Sequence, residues 1–182
     1  LDHLRAGDIF THCFADVDRR ETIADSLGIV RPCVRDAAKK GVVMDVGHGG
    51  GSFTWSQAEA AAAEGFWPQT ISTDLHTGSM NSAMKSMAEV MSKMMALGMA
   101  FPDVIEASTW RPAQVIGRED LGHLSLGAEA DIAVFNIREG DFGFLDTSGV
   151  RKAGTQRLEA ELTLRAGRVV WDLNGRAGEE TP

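Results

Sequence analysis

Three short runs of β-forming residues each stop beside a side chain that can ligate a metal or move a proton. No other feature of the sequence constrains the fold as much. Asp8-Ile9-Phe10-Thr11-His12-Cys13 carries His12 at its carboxyl end, Val42-Val43-Met44-Asp45-Val46 runs into Gly47-His48, and Thr70-Ile71-Ser72-Thr73 runs into Asp74. His12, His48 and Asp74 follow one another at spacings of 36 and 26 residues, which suits successive strand–helix units of roughly 30 residues each. The carboxyl ends of neighbouring parallel strands line one rim, so the three side chains are expected in one cleft. Two neutral imidazoles and a carboxylate suit zinc or a similar divalent ion, and an Asp touching both metal and water can also shuttle a proton.

The intervals between the runs read as helices. Pro32 near the start, Gly41 just past the end and Lys39 and Lys40 in the last turn bracket a helix over 31–40. Ser56 with Glu59 three residues on reads as a capped start for a helix over 57–64. From Asn81 the residues Met84, Met87, Met91, Met94 and Met95 recur at three- and four-residue intervals up to Gly98, which predicts a helix laying a methionine face on a sheet. Shorter helices are expected over 102–108 and 111–117. Beyond Leu121 the β-rich runs 130–137, 160–164 and 168–171 alternate with the turns Glu139-Gly140, Thr147-Ser148-Gly149 and Ala166-Gly167, the pattern of a small β domain.

Gly47, Gly49, Gly50 and Gly51 surround His48. Such a loop lets backbone come close to a ligand and present N–H groups. It lacks the Gly-Lys-Ser/Thr ending of a phosphate-binding loop and the spacing of a dinucleotide fingerprint, so phosphate binding is set aside. The net charge of -8, with no Lys/Arg cluster larger than a pair, argues against nucleic acid and anionic membranes as partners and favours small molecules. Two cysteines, Cys13 and Cys33, make no disulfide framework. Both are expected to be packing residues in a reducing, cytoplasmic setting. No apolar run approaches the roughly 20 residues that span a bilayer.

Thr11-His12-Cys13-Phe14, Asp45-Val46-Gly47-His48-Gly49-Gly50-Gly51-Ser52-Phe53, Ser72-Thr73-Asp74-Leu75-His76, Thr109-Trp110-Arg111-Pro112-Ala113 and the stretch from Gly122-His123-Leu124 to Ala130-Asp131-Ile132 together closely resemble the amidohydrolase superfamily. The nearest branch is that of the dihydroorotase-like amidohydrolases and deacetylases. The resemblance implies an α/β chain: the carboxyl-terminal half of a TIM-like (β/α)8 metal-dependent hydrolase barrel over 1–118, part of a small β-sandwich over 119–176, and a polar tail over 177–182. It implies one or two divalent ions, zinc among the candidates, with His12 and His48 as ligands of the second metal and Asp74 as ligand of the first and acid/base. The family's His-x-His pair and bridging lysine would lie upstream of Leu1, and Lys39 and Lys40 do not stand at strand ends. Gly49, Gly50 and Gly51 are expected to offer N–H groups to a substrate carboxylate or oxyanion, and His76 a polar contact. His3 and His123 are assigned to surface or hinge positions.

The implied reaction is hydrolysis of an amide (cyclic or N-acyl) or ester bond in a small acidic substrate, inactive without the amino-terminal half of the barrel. Open barrel edges also predict association with that half or with like chains. A non-catalytic subunit of a split assembly and a metal-free barrel lyase or isomerase are the alternative readings.

Overall fold

Parallel pairing in chain order is the central feature of the first 75 residues. In the computed structural model, which describes residues 1–18 and 20–179, strand β1 (Ile9–Phe10) pairs in parallel with β2 (Val43–Met44), Ile9 opposite Val43 and Phe10 opposite Met44. A parallel bridge between Asp45 and Thr70 adds the third segment. The regular strands are two residues long, shorter than the runs in the sequence, yet the ladder continues past them. Cys13 N–H donates to the Asp45 carbonyl at 3.0 Å, His48 N–H to Ser72 at 3.2 Å and Gly49 N–H to Thr73 at 2.9 Å. Side chains of residues 12, 48 and 74 therefore leave three adjacent strand ends.

Helix α1 (Pro32–Lys40) lies where the proline and glycine signals put it, with Gly41 left-handed at φ 100°. Helix α2 (Trp55–Ala63) starts one residue before the expected cap. Its N-cap is Thr54, whose side chain makes no capping bond. Asp146, far along the chain, accepts from Trp55 N–H at 3.1 Å and takes over that duty, while Thr147 closes on the Phe53 carbonyl through its N–H and Oγ1.

The methionine helix, α3 (Met87–Leu97), begins six residues later than the periodicity suggests. Ser86 caps it by accepting from Glu89 N–H, and residues 81–86 form turns that include Lys85 at φ 54°. Met84, Met91 and Met94 are buried in one core with Phe14, Phe53 and Ile71. Helices α4 (Phe101–Ser108) and α5 (Trp110–Val115) follow, and Ile71 N–H donates to the Ala107 carbonyl, tying the third strand segment to them.

The last third is one antiparallel sheet, β3 (Ile132–Leu145), β4 (Arg151–Arg165) and β5 (Arg168–Asp172), in the order β3-β4-β5. β3 runs straight through Glu139-Gly140, where a turn was expected, by means of an irregular register between Glu139 and Phe142; an extra residue taken up as a bulge lets a glycine-containing strand continue. β4 packs on α3, where Leu158 N–H donates to Ser92 Oγ at 2.9 Å, and Phe144 and Leu158 join the same core. Among the described residues no helix is long and apolar enough to cross a membrane. Part of the expected polar tail, 180–182, lies outside the described residues.

Candidate active site

His12 and Asp74 share a backbone peculiarity. Four non-glycine residues among those described have positive φ, and His12 at 58° and Asp74 at 49° are two of them. Left-handed geometry is disfavoured for L-residues and tends to persist where the surroundings enforce it, commonly at functional sites. Here the enforcement is visible. His12 Nδ1 lies 2.5 Å from the Gly47 carbonyl, so Nδ1 donates there and Nε2 is the nitrogen left to ligate a cation.

Gly47 and Gly49 are indispensable to this arrangement. Both have positive φ; a Cβ on Gly47 would run into Thr11 Oγ1 and stand 2.7 Å from His12 Nδ1, and a Cβ on Gly49 would stand 2.6 Å from Asp74 Oδ2. The glycine loop thus touches His12 on one side and Asp74 on the other. Asp74 is solvent-exposed, whereas Gly49 beneath it is buried.

His48 does not join them. It is fully buried and stacked on Phe53 with ring centroids 4.5 Å apart. Both ring nitrogens are occupied: Nε2 is 2.7 Å from Lys93 Nζ, and Nδ1 is 2.9 Å from the Gly49 carbonyl. Burial first, and the adjacent Lys93 ammonium second, push its pKa down to about 4, so it is a neutral ring. Its expected role as a metal ligand does not fit this geometry. Among the described residues no three His, Cys, Asp or Glu side chains converge so as to hold a metal ion; of the expected set, His12 and Asp74 flank one loop and His48 lies in the core.

His76 is exposed and its Nδ1 accepts from Gly78 N–H at 3.1 Å, a bond within its own turn. Lys40 is tied to the Leu4 carbonyl, away from the strand ends. His123 is partly buried beside Trp110, ring centroids 5.6 Å apart. Cys13 is buried, which raises its thiol pKa far above the ordinary value, but Cys33 is exposed and is not the packing residue it was expected to be.

Two residues escape a reading confined to strand ends. Asp45, almost wholly buried, accepts from Thr11 Oγ1 at 2.6 Å and Ser72 Oγ at 2.7 Å on one carboxylate oxygen, and from Thr70 Oγ1 at 2.6 Å on the other. It cross-links the three segments immediately below His12 and Asp74. Lys93, in the middle of α3, is fully buried; Nζ donates to His48 Nε2, to the Ala83 carbonyl at 2.8 Å and to the Leu145 carbonyl at 2.6 Å. An acid within a β run and a lysine amid methionines are the available sequence signals, since buried charges require partners.

The short parallel ladder, the helices on it and the strand-end loop that separates a histidine from an aspartate place a candidate site at the carboxyl ends of parallel strands in an α/β arrangement. The chain belongs to the amidohydrolase family, whose model matches residues 18–171. It is 38% identical over 82% of its length to a deacetylase of Agrobacterium fabrum and 29% identical over 91% of its length to a deacetylase of Enterococcus faecalis. Crystal structures of an adenine deaminase (TM-score 0.88, 29% identity) and a dihydroorotase (TM-score 0.81, 33% identity) each match 94% of the chain. The chain spans 36% and 45% of those two deacetylases and 46% of each of the two crystallised chains.

Proposed function

We propose that this chain contributes His12, Asp74 and the loop 47–51 to a divalent-metal site that hydrolyses an amide or ester bond in a small acidic substrate. The observation that carries the reading is the 2.5 Å contact of His12 Nδ1 with the Gly47 carbonyl, which leaves Nε2 free as a donor beside a loop that also abuts Asp74. An imidazole nitrogen and a carboxylate suit zinc and related ions, and a carbonyl behind the imidazole is a common orienting partner for metal-bound histidine. Further donors would come from the part of its relatives' length that this chain does not span, as a TIM-like half-barrel with part of a β-sandwich would require. The same need makes that amino-terminal half, or a second copy of the chain, the expected partner.

A divalent ion, held by His12 and Asp74 together with donors from outside this chain, would supply the Lewis acidity that acidifies a water and polarises the scissile carbonyl. Asp74, exposed at the rim, takes the water's proton on its carboxylate and passes it to the leaving amine or alcohol. Gly50 and Gly51 N–H groups stand ready for a carboxylate or developing oxyanion. The deacetylase relatives make an N-acyl amide the first substrate class to try.

Zinc titration by calorimetry tests the reading. His12→Ala and Asp74→Asn should each weaken binding about tenfold or more, the scale on which metal-site substitutions act, and His48→Gln should not. Equal affinity in all four proteins would discard it.

A further inference from the structure

The buried Lys93–His48 pair has no part in the reaction as proposed, yet it determines where one peptide group of the glycine loop points. An ammonium has three protons, and Lys93 directs them at three acceptors: His48 Nε2, the Ala83 carbonyl and the Leu145 carbonyl. His48 Nε2 must therefore accept, which places the ring proton on Nδ1, and Nδ1 donates to the Gly49 carbonyl. All peptide bonds of the described residues are trans, and in a trans peptide the C=O and the following N–H point in opposite directions. Turning the Gly49 carbonyl towards His48 turns the Gly50 N–H away from the core.

Among the described residues the Gly50 and Gly51 N–H groups have no acceptor, although Gly49 N–H and Ser52 N–H on either side of them do. Gly50 and Gly51 are both exposed, beside a Gly49 that lies against Asp74.

We infer that Lys93 is a positioning residue: acting through His48, it locks the Gly49–Gly50 peptide so that the Gly50 N–H faces outward as a donor for a carboxylate or other anionic oxygen. The inference rests on the proposed site only for the ligand's role as substrate; the orientation and the anion preference follow from the relay itself. It also accounts for a lysine being tolerated in full burial, since its three bonds join the loop, the end of β3 and the turn before α3.

The test is acetate titration of the 15N-labelled full chain, following the Gly50 and Gly51 amide resonances. Saturable downfield shifts are expected in the wild type. Lys93→Met and His48→Leu should weaken the apparent acetate affinity about tenfold, the weight of one charge-assisted bond. His48→Gln should keep it within about threefold, because its amide can accept from Lys93 and donate to Gly49. Cooperative thermal unfolding of each variant separates loss of the relay from loss of fold, and if Lys93→Met does not fold, the His48 pair decides. Amides that ignore acetate in the wild type, or equal affinity in His48→Leu and His48→Gln, would overturn the inference. Hydrolysis and zinc binding are not read here, so failure of the proposed activity leaves this result standing.

Discussion

Lys93 Nζ and His48 Nε2 meet at 2.7 Å with neither side chain exposed to solvent. Burial of His48 first, and the contact with Lys93 second, make acid the weak side of this protein. His48 titrates near 4 in the folded chain and near 6.5 in an unfolded one. As the pH falls below about 6.5, the unfolded chain therefore takes up a proton that the folded chain refuses. Stability from this group is complete above that point and is lost progressively down to about pH 4, with a ceiling of about 3 kcal/mol. Urea midpoints at pH 7.5 and 4.5 should differ by more in the wild type than in His48→Gln; equal differences would show that His48 is not responsible.

Asp45 accepts three hydroxyl donors in near-complete burial. Asp45→Asn keeps one carbonyl acceptor but turns the other arm into a donor facing hydroxyls. A loss of about 2 kcal/mol is expected from chemical denaturation. Because the three segments carry His12 and Asp74, zinc affinity should fall as well.

Gly49→Ala and Gly51→Ala should behave differently. A Cβ at Gly49 meets Asp74 Oδ2 at 2.6 Å and sits at φ 52°, whereas nothing lies within 4 Å of one at Gly51, where φ is not in the left-handed range. The first substitution should destabilise by about 1–2 kcal/mol and weaken zinc binding by displacing Asp74. The second should leave both unchanged, as thermal melts and calorimetry would show.

Thiol labelling should separate the two cysteines. Cys33 is exposed and Cys13 buried with a raised pKa, and the thiolate is the reactive form. Under native conditions near pH 8 one equivalent of reagent should react quickly, at Cys33, with the second reacting only on unfolding. Two fast equivalents would contradict the burial of Cys13.

The elements most readable from sequence were those with local punctuation. Pro32 and Gly41 bracket α1 correctly, and the parallel order of the three strand-end segments follows from their spacing. Elements governed by distant partners were harder to read. α2 is capped by Asp146 and not by Ser56, and α3 starts at Met87 because residues 81–86 supply turns and the carbonyl of Ala83 to Lys93. β4 extends over the largely polar residues 151–157 because pairing with β3, not hydrophobicity, defines it. At the site, His12, Asp74 and the glycine loop could be found as strand ends. His48 looked equivalent to His12 in sequence, and burial against Phe53 with a bond to a lysine 45 residues away sets its surroundings apart.

The hydroxyls converging on Asp45 come from positions 34, 25 and 27 residues distant along the chain. Each of those bonds closes one helical excursion, α1 for Thr11 and α2 for Thr70 and Ser72, and the full set needs both closures, each at an entropic cost that local structure cannot offset. The rim holding His12 and Asp74 should therefore be acquired as one late, all-or-none event in folding. Hydrogen exchange at residues 10–13, 44–48 and 70–74 should then report a single opening free energy.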